Sequence, residues 1–188
     1  MVLGPDASRI EEFAAQELQG YLMQMTGVFI PMAQRDAPIS GKRVLVGNSA
    51  AAMLGLEIDK SYPGADGFVI KTVGDKVILA GGSSRGTLYS VYAFLESLGC
   101  RWFAPGIIGE VVPLKSDIIL GSVDRLERPD LAYRGFTSLL PATYRNPQWI
   151  DWMCKNKMNY LVINQSEYAD FKKITGGELE KRGMDVGV

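Results

Sequence analysis

The stretch KVILAGGSSRGTLYSVYAFLESLG, residues 76–99, constrains the fold most, because a strand-like apolar run, a glycine-rich turn and an amphipathic helix follow one another directly. A strand that feeds straight into a helix commits this part of the chain to helices layered on a sheet. The turn has two readings. A dinucleotide fold requires GxGxxG and an acidic residue about 20 residues on, at the end of the next strand. Here the turn is GGSSRG, the next strand-like run RWF ends in Ala104 and Pro105, and Glu110 falls beyond it. A P-loop requires a lysine where Thr87 follows Gly86. The structural reading needs less. Gly81 and Gly82 reverse the chain, Ser83 or Ser84 caps the helix, and Gly86 lets the helix approach the sheet closely. Leu88, Val91, Tyr92, Leu95 and Leu98 then form a buried stripe that Gly99 terminates. Anion binding at the helix N-terminus stays open as the alternative.

Upstream, SRIEEFAAQELQGYLMQMT, residues 8–26, places Ile10, Phe13, Ala14, Leu18, Tyr21, Leu22 and Met25 at helical spacing. Ser8 is the N-cap, Glu11 stands three residues on, and Gly27 stops the helix. VFIPM and KRVLVG read as strands, and GFVIKT and KVILAG as a hairpin turned at Gly74. RWF and EVVP add short strands after the second helix. This order predicts an α+β fold over residues 1–122, a mixed β-sheet with helices packed on one face.

Composition narrows the chemistry. The 188 residues are 47% apolar and 22% charged, with a net charge of −1 and basic residues spread along the chain, so no polyanion-binding face is expected and nucleic acid is excluded as a partner. Histidine is absent, which removes His-based triads, His zinc sites and the commonest general base together. Cys100 and Cys154 lie far apart without a CxxC, so they read as buried thiols, and no cofactor or metal is expected. No apolar run approaches the roughly 20 residues that span a bilayer, so no membrane partner is expected.

At SVDRLERPDLAYRG the character changes, and residues 123–132 read as a linker. YRGFTS then reads as a strand, NPQWIDWMCKNK as a helix with Asn146 as N-cap and Pro147 at its first position, and NYLVIN as a second strand. TGGELEKRG is a short helical piece and MDVGV a third strand. Strand, helix, strand, helix, strand over residues 133–188 is the start of a parallel α/β array. Three such strands leave an open edge, through which self-association is expected.

The runs AAQELQGYLMQMTG, VLVG, GFVIKT, GGSSRGTLYSVYAFLESLGCRWFAPG and VVP, in that order, resemble the N-terminal accessory domain of carbohydrate-active enzymes of the family 67 α-glucuronidase and family 20 β-hexosaminidase type. The resemblance covers about residues 8–120. It implies a domain without catalytic residues in a bacterial glycoside hydrolase, periplasmic or secreted, whose (β/α)8 barrel begins at YRGF and acts on a carbohydrate substrate. It further implies Arg134 and Asn164 as substrate-binding residues of the intact parent. Arg134 matches an arginine that binds sugar hydroxyls, whereas Asn164 and Ser138 replace a histidine and an aspartate of the hexosaminidase strands. Arg134 could equally bridge to Glu127 or Asp130, and Asn164 could equally cap a turn. Glu167 and Asp170, just past the second strand, are the acids nearest the expected active-site face and read as solvated loop charges. No catalytic residue is assigned within the chain, since a glycosidase needs two flanking carboxyl groups and the resemblance places them on later strands. Trp149 and Trp152, three apart on the helix, are expected to pack on the sheet or the first domain, as buried aromatics do. A stand-alone carbohydrate-binding or protein-interaction module is the alternative function.

Overall fold

The computed structural model describes residues 1–33, 40–58, 64–137 and 145–188. They form two compact units, Met1–Cys100 with Val112–Pro129, and Arg101–Val111 with Asp130–Val188.

In the first unit a five-stranded mixed sheet runs β1-β2-β4-β3-β7, from Val2–Leu3, Arg43–Val46, Lys76–Gly81, Phe68–Val73 and Asp124–Glu127. β1, β2 and β4 are parallel, while β3 runs antiparallel to both β4 and β7. The hairpin turns at Gly74, with φ +59°, as its position between two apolar runs requires. Alternation along the strands separates two apolar faces. Val2, Leu45, Ile78 and Ala80 share one face with Ala50 and Ala51 of the short helix α2, Asn48–Ala52. Val46, Val77 and Leu79 alternate onto the other, where α3, Ser84–Ser97, crosses β3 and β4 and in turn packs on α1, Arg9–Thr26. The fold is thus the predicted α+β sheet with its two long helices together, and α2 adds a cover to the second face.

Helix α1 begins and ends where the sequence places it. Ser8 and Glu11 form a reciprocal capping box, and Gly27 closes the helix in the left-handed region at φ +73°. The buried face differs from the apolar pattern: Glu11 and Ala15 are buried, whereas Ile10 and Phe13 are half-exposed. Helix α3 is buried from Gly86 to Leu95 on all sides, more than its expected stripe.

Two expectations change. VFIPM forms no strand; the segment is held by Ala33 N donating to Met1 O at 2.7 Å and Gln19 Nε2 donating to Ile30 O at 2.6 Å. Residues 124–127, read as linker for their charges, are the edge strand β7. An edge strand exposes one face and its outer rim, so Asp124, Arg125 and Glu127 fit there.

In the second unit β8, β9 and β10, Gly135–Thr137, Tyr160–Val162 and Asp185–Gly187, form a parallel sheet in chain order. Helix α4, Pro147–Lys155, is opened by Asn146 Oδ1, which accepts from Gln148 N at 3.0 Å. Helix α5, Tyr168–Glu180, is longer than the predicted piece, because Phe171, Thr175 and Leu179 add a buried stripe at a four-residue spacing. Phe136 meets Trp149 edge-on at 5.7 Å, which places α4 on the face that Phe136 shares with Leu161. β5, Arg101–Trp102, and β6, Glu110–Val111, pair as a separate antiparallel ladder in this unit. Trp152 Nε1 donates to Trp102 O at 3.0 Å, so Trp152 packs within its own unit.

Candidate functional site

The glycine turn at residues 81–86 works as a packing joint. A Cβ on Gly81 would lie 2.2 Å from Gly86 C, and one on Gly86 would lie 2.5 Å from Gly67 O. Two of its donors are claimed internally: Ser83 Oγ accepts from Gly86 N at 3.3 Å and Thr87 Oγ1 accepts from Gly81 N at 3.1 Å. Beside it, Ser8 Oγ and Ser84 Oγ are hydrogen-bonded to each other at 2.8 Å. The Glu11 carboxylate fills the crevice at the carboxyl ends of β1 and β2, accepting from Ser8 N at 2.9 Å and Asn48 N at 3.3 Å.

The second unit offers the other candidate. In parallel α/β sheets, ligands are met at the carboxyl ends of the strands, here Thr137, Val162 and Gly187. Asn164 stands just past β9 at this end, where its Oδ1 accepts from Ser166 N and Ser166 Oγ, both at 3.1 Å, and opens a 3-10 turn. From that turn and the start of α5, Glu167 and Asp170 reach Arg145, which precedes α4. Arg145 Nη2 lies 2.7 Å from Glu167 Oε2 and 3.4 Å from Asp170 Oδ2. The two acids read as solvated charges therefore share one guanidinium, at side-chain exposures of 32% and 70%. Screening at such exposure keeps these pairs weak, about 0–1 kcal/mol each, so a competing anion or hydroxyl can displace them. Arg145 went unnoticed in the sequence, since nothing in the spacing of residues 145, 167 and 170 marks them as neighbours. Ser138 and Tyr144 lie outside the described residues.

Arg134 lies at the opposite end. It precedes β8, its Nε donates to Lys157 O at 2.9 Å, and its Nη1 donates to Leu131 O at 2.7 Å. Its backbone is tied to Asn159: Arg134 N donates to Asn159 Oδ1, and Asn159 N donates to Arg134 O, each at 2.8 Å. The guanidinium clamps carbonyls at the amino ends of β8 and β9.

A third cluster is structural. Arg182, 4% exposed, donates to Asp151 Oδ1 at 2.6 Å and also pairs with Glu178; Lys155 pairs with Asp151 Oδ2 at 2.6 Å. Burial opposes ionisation of Glu178, but Lys181 and Arg182 beside it hold its carboxyl below the usual range.

Residues 2–94 match the family described as glycosyl hydrolase family 67 N-terminus. Among solved structures, the chain is similar to BtGH115A, a family GH115 4-O-methyl-α-glucuronidase with specificity for decorated arabinogalactans. The identity is 14%, the TM-score 0.75, and the match covers 100% of this chain and 28% of that one. It is similar too to a GH138 enzyme targeting pectin rhamnogalacturonan II, at 15% identity and TM-score 0.64 over 97% of this chain and 23% of the other. CpGH84D matches at 11% identity and TM-score 0.61, over 98% and 32%. The chain thus spans about a quarter to a third of the length of these structures. No curated protein matches it in sequence. At these identities the structures speak to fold alone, and the sequence match speaks to the first unit: residues 2–94 are similar to the glycosyl hydrolase family 67 N-terminus.

Proposed function

We propose that the chain is the amino-terminal part of a longer bacterial glycoside hydrolase that breaks down an acidic or branched polysaccharide outside the cytoplasm. The first unit is its accessory domain, without catalytic residues, and the second is the opening of a (β/α)8 catalytic barrel. The observation that supports this reading most is the order of β8, β9 and β10, three successive parallel strands with α4 and α5 between them. The face away from α4 carries Gly135 and Thr137 of β8, Tyr160 and Val162 of β9, and Asp185 and Gly187 of β10. The names of the structural neighbours, an α-glucuronidase and a pectin-targeting enzyme, support a carbohydrate substrate. Among the described residues no helix is long and apolar enough to cross a membrane.

Within this reading Asn164 and Arg145 border the substrate end of the barrel, and Arg134 holds its far end together. Glu167 and Asp170 are paired with Arg145 and stand on one side of the opening, so these two acids do not form the opposed carboxyl pair that glycoside hydrolysis requires. Assay of the 188-residue chain on a panel of 4-nitrophenyl glycosides and glucuronides tests this. No turnover is expected; turnover abolished by Glu167→Gln or Asp170→Asn would overturn the assignment of catalysis to later strands.

A further inference from the structure

A cavity of about 830 Å3 in the first unit lies at the end of the sheet away from the glycine turn. Its floor is apolar: Leu22 of α1, Phe94 of α3 and Val77 of β4 close it, each less than a tenth exposed. The segments 30–33 and 118–122 form its walls. Its mouth is cationic. Among the described lining residues, Lys42, Arg43 and Lys76 stand on the rim with one carboxylate, Asp75, which Lys76 Nζ already holds at 2.6 Å. Among the described residues neither Lys42 nor Arg43 has a carboxylate partner. A volume of this size with an apolar base and few polar groups is the usual form of a small-molecule site. An excess of fixed positive charge at its entrance selects the sign of what enters.

We propose that this cavity binds an amphipathic monoanion, an apolar body of at least one aromatic ring seated on Leu22, Val77 and Phe94, with a carboxylate or sulfate head held by Arg43 and Lys42. The body contributes by burial of apolar surface, and the head fixes orientation at the rim. Arg43 suits the role because its planar fork meets a carboxylate through two parallel N–H bonds. Its observed hydrogen bond, Nη1 donating to Lys42 O at 3.1 Å, is solvent-exposed and exchangeable. The site lies wholly within the first unit, so it is independent of the enzymatic reading and stands or falls separately from it.

The test is isothermal titration of the 188-residue chain with 4-phenylbutyrate and with 4-phenylbutan-1-ol, two probes of nearly equal shape that differ in charge. Saturable 1:1 binding is expected for the acid, at least about tenfold tighter than for the alcohol, and weaker as salt rises. Arg43→Gln with Lys42→Gln removes that preference and leaves the alcohol unaffected. Should the double variant melt early, Lys42→Gln alone, at an exposed position, still weakens the acid selectively by about threefold. Equal binding of the two probes, acid binding unchanged in the variants, or no saturable binding overturns the proposal.

Discussion

Glu11 sits 6% exposed at the start of α1 and is the acceptor on which three donors converge, Ser8 N at 2.9 Å, Ser8 Oγ at 3.0 Å and Asn48 N at 3.3 Å. Replacement by alanine leaves Ser8 N and Asn48 N without this partner in a closed crevice. Hydrogen bonds to a charged acceptor contribute about 1.5–3 kcal/mol each, with strong non-additivity when they share one group. The longest of the three contributes least, so Glu11→Ala is expected to destabilise the chain by about 3–4 kcal/mol. Glu11→Gln keeps the shape and one acceptor oxygen but turns an NH2 group toward a donor, which gives about 2 kcal/mol. For a unit of about 120 residues each kcal/mol corresponds to roughly 4 °C in Tm. Urea unfolding followed by circular dichroism measures both, with Gln16→Ala on the exposed face of the same helix as the reference, expected within about 0.5 kcal/mol of wild type. Glu11→Gln within that same margin would refute the reasoning. The capping box would then be the whole contribution of Glu11, and the contact to Asn48 would count for nothing.

Gly135 leaves no room for a side chain, because a Cβ there would lie 1.6 Å from Tyr160 O; Gly135→Ala is expected to cost about 3 kcal/mol or more, read as loss of near-UV ellipticity from the tyrosine and tryptophan cluster. Lys157 adopts φ +60° after α4, so Lys157→Gly is expected to raise stability by about 0.5–1 kcal/mol in urea unfolding, since its carbonyl still accepts from Arg134. Glu178 is held below its ordinary value of 4.5 in the folded chain, so its ion pairs stabilise the protein above that pH and are lost as pH falls through and below it. The stability difference between wild type and Glu178→Gln is therefore expected to be constant from about pH 6 to 8 and to shrink below about pH 4.5, in urea unfolding at stepped pH.

Local signals were legible in the sequence wherever one residue's backbone need fixes its identity. Ser8, Gly27, Gly74, Asn146 and Pro147 mark helix ends and a turn by chemistry that does not depend on tertiary context. The burial of Glu11 was not legible, because its carboxylate is satisfied by Asn48, 37 residues away, and side-chain polarity alone points outward. The strand β7 was hidden for the opposite reason: an edge strand needs no apolar run, so charge in DRLE reads as linker. VFIPM carries the composition of a strand but pairs with no strand, which is tertiary context overriding propensity. At the candidate site, the resemblance drew attention to Arg134 on a strand and overlooked Arg145. Which end of a parallel strand a residue occupies depends on where the ladder begins, and the ladder begins at Gly135.

The two units share the chain in an interleaved way, with Arg101–Val111 belonging to the second while Val112–Pro129 returns to the first. The backbone therefore passes from one to the other three times, after Cys100, Val111 and Pro129. A single proteolytic nick at any crossing leaves both bodies covalently joined, and a gene fragment ending near residue 94 or 122 would strip β3 of its neighbour β7 and present a bare ladder to other molecules. Separation of the accessory domain demands that residues 112–129 travel with it and that the excursion 101–111 be bridged, so this protein is expected to be inherited and engineered as one piece.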